Sequence, residues 1–250
     1  MFKAVKNLFS FLTILTPTMD EDCFTIAAKF MFLFPLVGAF IGLIAGLLGW
    51  VTSLVLPSLV VGGLVLGFLL LITGLHHTDG LLDFGDGVMA HGSPERKVEI
   101  MHDQLTGAGG LSLGILTFLI TAFSIAELDA DIIIQGLVVV EVSAKLSMVI
   151  GAWAGRAVHE GMASPFLDAM HGKKGTARLV ASLAISFGIA IPLLWFAGVI
   201  VLLAAIIASL IMVGISYKHF NGVTGDVLGA TNELARMVSL ITLLAAMGWV

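Results

Sequence analysis

The segment from His76 to Gly110, "HHTDGLLDFGDGVMAHGSPERKVEIMHDQLTGAGG", gathers Asp79, Asp83, Asp86 and Asp103 with His76, His77, His91 and His102. Asp79, Asp83 and Asp86 stand at i, i+4 and i+7, so on a helix they fall along one stripe. Three like charges on one stripe repel, and a divalent cation removes that repulsion. Oxygen ligands with open water positions suit Mg2+, which usually brings substrate phosphates with it. Asp103 is placed to complete the ligand set from a second segment, and Gly85 and Gly87 leave room beside the carboxylates for a phosphate group. A solvated acidic loop would scatter its charges. Here helical spacing is interrupted by apolar residues, which favours a metal–diphosphate site. His91 and His102 either touch substrate or are simply solvated.

Two further polar clusters interrupt the apolar chain. "FNGVTGDVLGATNELAR", from Phe220 to Arg236, sets Thr224, Gly225 and Asp226 ahead of Thr231, Asn232 and Glu233. Backbone N–H groups of such a loop can cradle phosphate where it runs into a helix; a helix-capping turn explains the same residues. "AGRAVHEGMASPFLDAMHGKKGTAR" carries Arg156, Lys173, Lys174 and Arg178. These bases either neutralise phosphate or follow the inside-positive bias of membrane proteins. Glu141 and Lys145, four apart in an apolar run, read as an ion pair lining a helix bundle or as the polar wall of a substrate cavity.

The elements that must position these residues are membrane helices. Of 250 residues, 58% are hydrophobic and only 12% charged, with a mean hydropathy of +1.08. Soluble domains carry about 25% charged residues, so a water-facing surface cannot be built from this chain. Its apolar stretches are long and unbroken, which argues for helices and against a membrane barrel. The fold class expected is an all-α, polytopic integral membrane bundle. About seven spans are predicted, near 30–54, 57–75, 109–128, 131–153, 178–196, 199–217 and 232–250, each long enough for ~30 Å of hydrocarbon. Pro192 kinks the fifth span or lies near its end. In "MFKAVKNLFSFLTILTPT", Phe2, Val5, Phe9 and Leu12 share one helical face and Lys3, Lys6, Ser10 and Thr13 another, which predicts an interfacial amphipathic helix rather than a cleaved signal.

Seven spans put the N-terminus and the loops 76–108, 154–177 and 218–231 on one face. Lys145 apart, the Lys and Arg residues belong to that face, as do the histidines; the turn carrying Glu127, Asp129 and Asp131 on the other has no base. The positive-inside rule then makes the polar loops cytoplasmic and the protein a multi-pass component of the cell membrane. Gly38, Gly42 and Gly46, four apart, permit close helix packing, within one chain or between copies in a homo-oligomer. The lone Cys23 excludes a disulfide framework and a cysteine metal site, and no basic patch suits nucleic acid.

These motifs resemble those of cobalamin synthase, the adenosylcobinamide-GDP ribazoletransferase family. The resemblance rests on "GLHHTDGLLDFGDG" followed by "PERKVEIMHDQLTGAGG", on "GVTGDVLGATNEL", and on the earlier "FLTILTP" and "FPLVGAFIGLIAG". It runs from about Phe11 to Leu234, in the family's order. It departs at Ile14, His102 and Leu105–Thr106, where the family pattern has basic residues. The resemblance implies a reaction in which the 3′-hydroxyl of α-ribazole, or of its 5′-phosphate, attacks the cobinamide-side phosphorus of adenosylcobinamide-GDP. GMP leaves, and adenosylcobalamin or its 5′-phosphate forms. It implies Mg2+ on Asp79, Asp83, Asp86 and Asp103, with Asp226 holding a second ion or orienting the ribose hydroxyl. His77 or an uncommitted aspartate takes the hydroxyl proton, and Arg156, Lys173 and Lys174 contact the GMP phosphate.

Two other functions share part of the pattern. "DFGDGVMAH" carries much of the D-x-x-D-G-x-x-A signature of CDP-alcohol phosphotransferases, but His91 stands where that signature has Arg and its later aspartates are missing. A secondary transporter would place ionisable groups at the bilayer midplane; here only Glu141 and Lys145 are deep.

Overall fold

The computed structural model describes residues 2–15, 23–161 and 163–248. Eleven α-helices account for most of them: α1 (Phe2–Leu12), α2 (Cys23–Lys29), α3 (Phe34–Ser53), α4 (Ser58–Ile72), α5 (His76–Met89), α6 (Pro94–Met101), α7 (Ala108–Ala126), α8 (Ile133–Ala154), α9 (Ser164–His171), α10 (Gly175–Phe220) and α11 (Gly225–Met247). The apolar sequence leaves the backbone no partner but itself, which is why helices form throughout.

The centre is α8, buried without interruption from Gly136 to Ala152. Helix α3 packs antiparallel against it through the predicted glycine stripe. A Cβ at Gly38 would strike the carbonyl of Glu141, one at Gly42 that of Leu137, and one at Gly46 would lie 2.6 Å from the Ile134 Cα. The stripe therefore serves packing within the chain. Gly136 meets Leu243 and Gly151 meets Leu228, so α11 also runs antiparallel to α8. Gly62 lies against Ala122 and Ala126, pairing the start of α4 with the end of α7.

Helix α10 is not straight. Trp195 has φ 50 and ψ −127, and a Cβ on Gly198 would strike the Ala190 carbonyl. In one continuous helix those residues would stand ~12 Å apart, so the chain doubles back here, three residues after Pro192. Among the described residues, five helices are long and apolar enough to cross a membrane, six if α4 and α5 count as one broken span. The seven-span expectation differs in two places. It split the 46-residue α10, which the reversal at Trp195 supports. It also counted α4, whose 15 residues fall short of the ~20 of a straight crossing.

These directions bring α5, α6, α9, the end of α8 and the starts of α7, α10 and α11 to one end of the bundle; short turns close the other. Helix α1 caps the polar end, burying Ala4, Asn7, Leu8 and Leu12 while Val5 is exposed. Its inward face is thus rotated from the stripe expected through Val5 and Phe9. Phe9 meets Phe40 of α3 edge-on at 5.1 Å.

Candidate active site

The chain turns sharply into α5. Gly74 (φ 64) and Leu75 (φ 62) both adopt the left-handed conformation, unusual for a leucine, and α5 leaves α4 at 94°. It therefore lies across the mouth of the bundle, outside the spanning segments. Its glycines fix it there. The Cα side of Gly80 faces the backbone of Asp226, that of Gly85 the backbone of Gly109 and Gly110, and that of Gly87 the Met101 and Phe220 side chains. This corrects the expectation that Gly85 and Gly87 leave space for phosphate: the space is filled by α7, Met101 and Phe220.

The aspartate stripe exists, but its members do different work. Asp79 is exposed and Asp83 half-buried. Burial first, then repulsion from Asp79, Asp226 and Asp86, pushes the Asp83 carboxyl from 3.8 up to about 7. Asp86 instead turns to α7: its Oδ2 accepts the Gly107 N–H at 2.6 Å and its Oδ1 the Gly110 N–H at 2.8 Å. It caps that helix, satisfying N–H groups that have no intrahelical partner. Asp103 is exposed, with Oδ1 accepting the Leu105 N–H at 3.1 Å, and is not among the carboxylates acting on Asp83. The carboxylate that joins Asp79 and Asp83 from a second segment is Asp226, in the first turn of α11. Among the described residues, no three His, Cys, Asp or Glu side chains converge as they stand to hold a metal ion.

Asp79 and Asp226 border a cavity of about 270 Å3. Its polar wall also includes His76, His77, Gly225 and Gly229; its other wall is Phe11, Phe24, Met31, Phe34, Met148, Ala163 and Phe166. His77 is only 7% exposed, and its Nδ1 has no hydrogen-bond partner among the described residues. Burial first, then the charges of Lys145, Arg236 and His76, hold its pKa well below the usual 6.5, so the ring is neutral.

The remaining candidates separate. Thr224 caps α11, its hydroxyl accepting the Val227 N–H at 3.3 Å and donating to Asp226 Oδ2 at 3.3 Å; the capping reading of that cluster is realised. Asn232 and Glu233 are not at the mouth. Both are fully enclosed, in a network that joins α8 to α11, apart from the loop with which the sequence groups them as phosphate contacts. Arg236 Nε donates to Glu141 Oε1 at 2.5 Å and Nη2 to Glu141 Oε2 at 3.2 Å, and Nη1 donates to Glu233. Lys145 Nζ reaches Asn232 Oδ1 at 2.6 Å and lies 3.7 Å from Glu141. The structural reading of the Glu141–Lys145 pair holds, but Arg236, placed by sequence on the polar face, proves equally buried. His102 is exposed, near enough to act electrostatically on Asp226, with its ring 5.5 Å from that of His159. His91 is exposed beyond the far end of α5, away from the cavity. Arg156 is exposed beside the loop entering α11, its carbonyl accepting the Val223 N–H at 2.8 Å. Lys173 and Lys174 lie exposed between α9 and α10. Sequence reasoning missed His76, His159, Arg236 and the aromatic wall. The i, i+3 spacing of Glu233 and Arg236 was a usable signal; the phenylalanines, in so apolar a chain, gave none.

Fold and site define a polytopic helical membrane protein with carboxylates, at one end, around the opening of a half-aromatic cavity. The family model described as cobalamin-5-phosphate synthase matches residues 4–244, and the chain belongs to that family, as an enzyme and a transferase of cobalamin biosynthesis. Similar proteins named adenosylcobinamide-GDP ribazoletransferase occur in Methanococcoides burtonii (32% identical, covering 97% of this chain and 92% of the relative). Others are in Methanosarcina mazei (34%, 96% and 91%) and Thermococcus kodakarensis (31%, 96% and 97%). No solved structure matches the chain.

Proposed function

We propose that this enzyme joins adenosylcobinamide-GDP to α-ribazole or its 5′-phosphate and releases GMP. The ribose 3′-oxygen forms a bond to the cobinamide-side phosphorus. The bond from that phosphorus to the GMP oxygen breaks, and the hydroxyl proton passes to a base. The observation that carries the reading is the grouping of Asp83 with Asp79 and Asp226, which repel it and themselves border the cavity.

That donor set fits Mg2+. The groups are oxygen ligands whose repulsion a cation relieves, and Mg2+ is ordinarily held by one or two carboxylates plus substrate phosphates. Asp79 and Asp83 would hold it, with Asp226 facing them, while Asp86 is committed to α7 and Asp103 to its own turn. When bound, the ion supplies charge compensation on the diphosphate. His77, neutral and lining the cavity, is the base that accepts the hydroxyl proton. Arg156 lies beside the loop entering α11 and provides positive charge for the departing GMP. The Lys and Arg residues concentrated at this end support a cytoplasmic mouth in the cell membrane.

The test uses the purified protein in detergent with adenosylcobinamide-GDP and α-ribazole. GMP release that stops on chelation and returns with Mg2+ is expected. CMP release from a CDP-alcohol, with no GMP from the cobinamide donor, would overturn the proposal.

A further inference from the structure

The cavity beside the aspartates is built of two unlike halves. Among its apolar lining residues, Phe11 stacks on Phe166, with ring centres 4.7 Å apart and planes 27° from parallel. Phe11 also lies 6.0 Å from Phe34 at the same angle. These rings come from α1, α3 and α9, three elements distant in sequence. Its polar lining includes Asp79, Asp226 and His77, the last with a buried Nδ1 that has no hydrogen-bond partner among the described residues. A buried polar atom without a partner is unfavourable unless something else meets it. Apolar walls with a few convergent polar groups at one side are the usual form of a small-molecule site, and about 270 Å3 is near the lower end of the ~300–1,000 Å3 such sites span.

We infer that this cavity is the acceptor subsite: its phenylalanine end takes the flat two-ring base of α-ribazole, and its His77–Asp79–Asp226 end takes the ribosyl hydroxyls. The assignment rests on the function proposed above and adds where the acceptor sits. The two other large groups in the reaction do not fit this chamber. A corrin is far too large. Guanine carries donors and acceptors around its edge, and burying them against phenylalanine and methionine leaves them unpaired, which is costly. A dimethylbenzimidazole has no exocyclic polar group to strand, and its faces suit aromatic walls. The base, once seated, directs its ribose toward the polar wall that the described residues form, where Asp79, Asp226 and His77 lie.

The test uses full-length protein in detergent with two variants. Ala163→Phe narrows the chamber from a half-buried position on its wall, and Phe166→Leu removes a stacking ring while keeping apolar bulk. Equilibrium dialysis with α-ribazole reads binding without turnover, and GMP release reads KM for each substrate. Both variants should weaken α-ribazole binding and raise its KM by about fivefold to 100-fold, the range of a lost base–aromatic stack. The KM for adenosylcobinamide-GDP should stay within about twofold. Unchanged α-ribazole affinity in either folded variant, or a rise confined to the cobinamide-GDP KM, would overturn the subsite. If wild-type protein binds α-ribazole with this variant sensitivity but releases no GMP, the subsite stands and the proposed reaction falls.

Discussion

Replacing Asp83 with Asn should make the metal-free protein more stable while removing its activity. Asp83 is ionised at pH 8 against burial and against Asp79, Asp226 and Asp86, which lift its pKa from 3.8 to about 7. Taken whole, that shift corresponds to about 4 kcal/mol of penalty on the folded state. Asp83 is half-exposed, so water and salt screen much of it, and about 1–2 kcal/mol is the realistic gain on removing the charge. For a chain of this size that is a rise in Tm of about 2–8 °C. The sign follows from linkage: the folded state holds its proton more tightly than the unfolded chain, so folded stability falls as pH rises between 3.8 and about 7. The Asp83→Asn advantage should therefore be absent near pH 4, grow to about pH 7 and remain constant above. Mg2+ should raise the Tm of wild type above pH 7 and leave the variant unmoved. Thermal unfolding in detergent with a chelator measures this, alongside GMP release, which should fall by at least about 100-fold. A variant less stable than wild type at pH 8 would refute the electrostatic argument; full activity would refute the metal assignment.

Asp86→Asn should behave in the opposite way. It loses one of two charge-assisted bonds to the N-terminus of α7, costing about 1–3 kcal/mol, while GMP release per folded molecule falls less than about tenfold; a loss matching Asp83→Asn would restore Asp86 to the metal. Arg236→Met leaves Glu141 and Glu233 facing Lys145 alone and should cost about 3–5 kcal/mol in denaturant unfolding. Adding Glu141→Gln to Arg236→Met should recover part of that loss, with a coupling of about 0.5–3 kcal/mol. Gly42→Leu forces α3 off the Leu137 carbonyl and should prevent accumulation of folded protein, whereas Gly63→Ala, where a Cβ meets nothing within 4 Å, should be neutral by the same measurement.

What the sequence made legible follows the range over which its signals act. Spacing within one helix was readable: Asp79, Asp83 and Asp86 do share α5, and Glu141 and Lys145 do meet across one turn of α8. What each side chain does there was decided by a partner from elsewhere. Asp86 was drawn to α7 because Gly107 and Gly110 present unpaired N–H groups to it. Gly85 and Gly87 read as open space because a missing side chain looks the same in sequence whether phosphate or a neighbouring helix occupies the gap. Asp103 was nearest along the chain, but the fold brings Asp226 to the cluster, and no local pattern encodes that approach.

The buried charges and the acidic mouth are one device. Glu141 on α8 and Arg236 on α11 bond inside the bundle, which sets both the rotation and the height of α11. Its first turn then presents Asp226 at the mouth, where the backbone of Asp226 packs on Gly80 of α5 and Gly229 packs on the backbone of His77. Asp79 and Asp83 sit on that same helix, so their distance to Asp226 is governed by a salt-bridge network deep in the bundle. Glu141, Glu233, Lys145 and Arg236 balance in net charge, and although Lys145 and Arg236 act on His77, the network reaches the aspartates chiefly through the position it gives α11. A charge-neutral replacement that preserves the α8–α11 spacing should therefore keep activity, and one that shifts α11 along its axis should lose it even with every aspartate intact.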